Sequence, residues 1–162
     1  MNRKQHLMCA ASTIVMALLS FSAQAHDYRI PFSAQFSGTI TEPSVTSLAP
    51  PTVFLIAYGT SEVSPLGQSQ IVFPHSIIET TGAVAGDMMI TTLDGDILLA
   101  HITGTALPTA TPGEFALSQT GIFIGGTGRF VDATGSFVVT GSADTVGLTV
   151  TATLDGYLYT CR

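Results

Sequence analysis

The sequence predicts an all-β fold of about eight antiparallel strands, arranged as a closed barrel or, alternatively, as a two-sheet β-sandwich. Three observations lead there. Glycine and proline, 16 and 8 of the 162 residues, punctuate the chain at strand-length intervals. The stretches between them alternate apolar with polar side chains. Past the N-terminus, no segment sustains a helical period.

The first 25 residues stand apart from this pattern. Arg3 and Lys4 give a positive start, residues 7–21 an apolar stretch, and Ala23-Gln24-Ala25 a small-x-small cleavage site. That is the layout of a secretory signal peptide rather than a membrane anchor. The expectation is a signal peptide over 1–25 and one domain over 26–162, secreted or periplasmic after cleavage. Cys9 falls within the signal, which leaves Cys161 alone. Core burial, not an internal disulfide, must then hold the fold. A lone thiol beside the C-terminus stays free or pairs between chains, and pairing would give a homo-oligomer.

From residue 26 onward three arginines face eleven acids, with no lysine, for a net charge of −8 with histidines neutral. Such a surface repels phosphate backbones and anionic lipid, which excludes nucleic-acid and membrane-surface partners.

The strands are justified in order. Residues 32–41 place Phe32, Ala34, Phe36, Gly38 and Ile40 on one face. Residues 43–51 read as a proline- and serine-rich loop. A strand over 53–63 ends at the turn Pro65-Leu66-Gly67, and 70–79 follows, with Pro74 pointing to an edge or a bulge. Residues 84–93 run into Asp94-Gly95, a type I′ hairpin signal, and 96–105 run out of it. Residues 108–113 break the chain before a strand over 115–124. After the glycine-dense run Gly125-Gly126-Thr127-Gly128, residues 136–141 form the next strand. Residues 146–158 form the last, with Val146, Leu148, Val150, Ala152 and Leu154 opposite a threonine face.

Gly125, Gly126, Gly128 and Gly135 mark a sharply shaped backbone connection, because glycine reaches positive φ without steric cost. This segment, Gly125-Gly126-Thr127-Gly128-Arg129-Phe130 through Gly135-Ser136-Phe137, resembles the glycine-rich hairpin of the allene oxide cyclase and dirigent barrels and of related small secreted bacterial proteins. Residues 59–67 resemble that family's early glycine–threonine strand and leucine-glycine turn. Residues 93–98 resemble its glycine-aspartate element. The three elements span 59–135 in the family's order, and the resemblance selects the barrel over the sandwich. It also implies an apolar barrel cavity in which a few polar groups steer a reactive intermediate. One departure bears on chemistry: Thr134 stands where the dirigent pattern carries an arginine before the glycine.

The candidate functional residues follow from strand phase. Phe115, Leu117 and Phe123 share one face, with Gln119 among them, and Tyr58 and Glu62 share the phase of Ile56. These six are the expected cavity lining, and Val146, Leu148 and Val150 join them from the last strand. Ala34, Gly38, Gly121 and Ala152 are small enough to leave space. Arg129 lies in the glycine turn and is expected at the rim, paired with Asp132 or a neighbouring loop. Asp94 and Asp96 lack the further oxygen ligands of a calcium loop. His26, His75 and His101 are too dispersed for a zinc motif. No metal or cofactor is expected, and no nucleophile sits in a recognisable elbow or triad. The expected role is non-catalytic binding of a small apolar ligand or a structural module. A cyclase- or isomerase-like enzyme acting on an apolar substrate in the barrel is the alternative.

Overall fold

In a computed structural model that describes residues 28–160, this alternation resolves into nine antiparallel strands among the described residues. The signal-like segment 1–25, His26 and Cys161 lie outside them. The strands are β1 (Tyr28–Ile40), β2 (Ser44–Leu48), β3 (Pro51–Ser64), β4 (Gly67–Ile78), β5 (Ala83–Thr92), β6 (Ile97–Pro108), β7 (Glu114–Gly126), β8 (Thr134–Asp144) and β9 (Thr149–Thr160). Each strand from β3 to β9 pairs with the next, β9 pairs with β1 along Tyr28↔Thr160 to Thr39↔Thr149, and β1 pairs with β3. Eight strands thus form a closed antiparallel barrel. That closure decides against the sandwich.

The ninth strand corrects the expected loop at 43–51. There Ser44–Leu48 turns back and pairs with the first residues of β3, from Ser44↔Phe54 to Leu48↔Pro51. Pro74 is no edge residue either, because β4 lies between β3 and β5. The β4–β5 ladder skips Phe73 and Pro74 and resumes in the same register, so the missing proline N–H removes a bond without forming a bulge.

The Asp94-Gly95 hairpin also differs from the expected type. Gly95 alone in this turn takes positive φ (+87°), and its N–H bonds the Thr92 carbonyl at 3.0 Å. Leu93–Gly95 is therefore a three-residue loop, a turn closed by one left-handed glycine. Val146 lies in the connection before β9 and is exposed, whereas Val150, Ala152 and Leu154 are buried.

The two ends of the barrel are built differently. At one end Phe32, Phe123 and Phe137 meet with ring centroids 4.9–5.2 Å apart. Val63, Ile71, Ile90, Leu98 and Leu158 complete a filled layer around them. The glycine turn seals this end. Its 3₁₀ turn Gly128–Phe130 carries Phe130 into the core, 2% exposed. Thr127 fastens it to β6, its N–H donating to the Ile97 carbonyl at 2.8 Å and its Oγ1 accepting from the Ile97 N–H at 2.9 Å. Gly125, Gly128 and Gly135 have positive φ, and a Cβ on Gly128 would strike the Asp96 carboxylate. Arg129 lies 3.5 Å from that same carboxylate, so its partner is the neighbouring β5–β6 loop and not Asp132.

Candidate functional site

The opposite end is open. A cavity of about 420 Å³ runs inward from the rim where β4, β6 and β8 end and β5, β7 and β9 begin. Its wall is mostly aliphatic and aromatic, with Phe36, Leu55, Phe73, Met88, Val139 and Leu154 toward the floor. The aromatic layer described above closes the bottom. The volume falls within the range of ordinary small-molecule pockets, which are largely apolar with a few placed polar groups.

Phe115, Leu117 and Gln119 line this cavity, as do Val150 and Ala152. The other expected lining residues are placed elsewhere. Phe123 has the right phase but lies further along β7, inside the filled layer. Tyr58 and Glu62 are exposed on the outer face. In β3 the inward residues are Val53, Leu55, Ala57, Ser61 and Val63, so the phase is shifted by one from the expected set. Gly121 leaves no space, because the Phe137 ring covers it and a Cβ there would overlap that ring. Gly38 is covered in the same way by Phe36.

His75 is the residue that phase reasoning passed over. It follows Ile71 and Phe73 on the inward face of β4, and that alternation marks it as plainly as it marks Gln119. Its Nδ1 lies 2.9 Å from the Phe73 carbonyl oxygen. A carbonyl can only accept, so Nδ1 carries the proton and Nε2 presents a lone pair. The imidazole stacks on the Phe73 ring, with centroids 4.2 Å apart and planes 14° off parallel, which fixes its direction. Burial pushes the His75 pKa below its usual value, against a smaller opposing effect of the Phe73 hydrogen bond. The ring is neutral at pH 7.

Gln119 is 6% exposed and His75 8%. Among the described residues neither the Gln119 amide nor His75 Nε2 has a protein hydrogen-bond partner. Among the described residues no side-chain polar atom sealed from solvent is left unpaired, so these groups face the open cavity. Both occupy the third inward position from the rim, along Glu79, just past the end of β4, then Ile77 and His75 on it, and along Phe115–Leu117–Gln119 on β7. At about 3.3 Å per residue and a typical barrel tilt, that is roughly 10 Å deep.

Acidic side chains stand at both ends, Glu42, Glu79, Glu114 and Asp144 at strand termini of the open end and Asp94, Asp96 and Asp132 in the loops of the closed end. Arg29 and Arg129 belong to the closed end, Arg29 over the Tyr157 ring. Neither arginine lines the cavity. Among the described residues no three His, Cys, Asp or Glu side chains gather as metal ligands. No protein-family model matches the chain and no curated protein matches it, so the functional reading rests on the geometry of this cavity.

Proposed function

We propose that the chain is an exported binding barrel that holds one small, mainly apolar molecule in its open half. The observation that carries this reading is the half-filled interior. One end is packed solid with aromatic rings, and the other leaves about 420 Å³ of apolar space open at the rim. A packed core has few voids larger than a water molecule, so space of this size needs a reason. The signal-like N-terminus supports action outside the cytoplasm, and the resemblance to the allene oxide cyclase and dirigent barrels supports use of the interior.

The test is a fluorescence titration with the neutral apolar probe N-phenyl-1-naphthylamine. Saturable binding is expected, and it should be lost in Ala106→Phe and Ala152→Phe, which put a ring into the cavity from β6 and β9. Binding that survives both substitutions, or is absent from the native protein, would overturn the reading. The neutral His75 beside an apolar cavity favours one second reading, a cyclase or isomerase in which Nε2 accepts a proton. Turnover of a bound ligand that stops in His75→Phe would favour that alternative over simple binding.

A further inference from the structure

The polar groups inside the cavity, together with the charges around its mouth, narrow the chemistry of what it takes. We propose that the cavity selects neutral, mainly apolar molecules that carry a hydroxyl or N–H group, bound head-first against His75 and Gln119, and turns carboxylates away. This rests on the binding reading above and deepens it.

The head-first orientation follows from depth. His75 Nε2 and the Gln119 amide lie at the third inward position, and the walls between them and the rim are apolar, with Ile77 and Leu117 one step above. A polar head that stopped at the rim would leave both deep groups facing hydrocarbon. Burying such groups unpartnered is costly. A head that reaches this depth can meet the His75 lone pair or the Gln119 amide, and its tail then lies along the apolar wall.

The required head is set by the histidine tautomer. With Nδ1–H held by the Phe73 carbonyl, Nε2 can only accept, so the ligand must donate. Gln119 offers a carbonyl oxygen and an NH2, so it can accept from that head or donate to its oxygen. A hydroxyl can donate to Nε2, and it can donate to or accept from Gln119.

Carboxylates fail at either depth. Head-first, the anion would sit among apolar walls beside a lone pair, with no lysine or arginine among the described residues lining the cavity to pair it. Tail-first, it would sit at the rim beside Glu79, with Glu42, Glu114 and Asp144 at other strand ends of the same open end. Both arginines of the described region are at the far end of the barrel.

The experiment is displacement of N-phenyl-1-naphthylamine at pH 8 by three ligands of matched chain length: 1-decanol, its methyl ether and decanoate. At that pH decanoate is ionised and His75 neutral. Decanol should displace the probe at a concentration at least tenfold below decanoate, and several-fold below the ether, which cannot donate. In His75→Phe, which keeps a flat ring on Phe73, the alcohol-to-ether preference should collapse, each displacement being read against the variant's own probe affinity. Gln119→Leu should weaken decanol several-fold and serves as an independent arm if His75→Phe does not fold. Decanoate displacing as well as decanol, or an unchanged alcohol-to-ether ratio in a folded variant, would overturn the proposal and leave the cavity reading intact. No probe binding by the native protein would overturn both.

Discussion

Gly121→Ala isolates how the interior is filled at one end and open at the other. Gly121 sits beneath the Phe137 ring, and a methyl group there would overlap Cζ and both Cε atoms. Its φ lies outside the left-handed region, so the substitution carries no backbone strain and acts through the ring alone. Phe137 is 2% exposed and packs on Phe32 and Phe123 at 5.2 and 4.9 Å. Displacing it weakens two aromatic pairs worth about 0.5–1.5 kcal/mol each, which agrees with the roughly 1–3 kcal/mol seen when cores are overpacked. Alanine recovers about 0.5–1 kcal/mol relative to glycine in a strand, so the net loss should be about 1–2 kcal/mol. With a urea slope of about 2 kcal/mol/M, the midpoint should fall by roughly 0.5–1 M. Far-UV circular dichroism is the suitable signal, since the chain has no tryptophan. Phe137→Ala alone should cost about 3–5 kcal/mol. In that background Gly121→Ala should cost nothing, or stabilise slightly, because the new methyl enters the space the ring has left. A coupling of about 2 kcal/mol is expected. If Gly121→Ala costs the same with and without the ring, steric contact with Phe137 is not what keeps position 121 glycine.

Three further outcomes follow from other sites. Gly128→Val should destabilise by about 2 kcal/mol or more in the same urea assay, because φ is +53° and the Cβ meets the Asp96 carboxylate; Gly67→Ala, at φ +80° but with open space, is the control and should cost less. Arg129→Ala should change stability by less than about 1 kcal/mol, since its contact with Asp96 is 3.5 Å long and half exposed, and any loss should shrink in 1 M salt. His75 titrates below its usual value in the folded protein, so its contribution is complete above about pH 6.5 and is lost as pH falls through the lower folded value; urea midpoints taken from pH 8 to pH 5 should therefore fall less steeply for His75→Phe than for the native chain.

Much of the barrel was legible because strand alternation is a local signal. The ranges 70–79, 84–93, 96–105 and 115–124 match β4 to β7 to within a few residues at each end. The phase of β3 was not legible, because Val53 to Tyr58 is apolar on both faces and alternation there has no contrast. β2 was hidden by flanking prolines and by pairing that only β3 can supply. At the site, Phe115, Leu117 and Gln119 follow from phase, and so does His75, which continues the inward alternation of Ile71 and Phe73. What phase could not give was depth. Phe123 shares the face of Phe115, yet it belongs to the plug because Phe32 and Phe137, distant in sequence, converge on it. Gly121 looked like empty space for the same reason: its occupant comes from another strand.

The pairing of β1 with β9 has a consequence for how the chain is made. These strands zip along twelve residue pairs, from Tyr28↔Thr160 to Thr39↔Thr149, across more than a hundred residues of intervening chain. Neither β1 nor β8 can find its second neighbour until β9 has been synthesised, so the ring cannot close before that strand is made. Until then the nascent polypeptide carries open strand edges, which invite pairing with other chains. Long-range closure of this kind also belongs to the slow end of single-domain folding. A chain stopped before Thr149 would keep both edges bare, and it should aggregate instead of forming a smaller barrel.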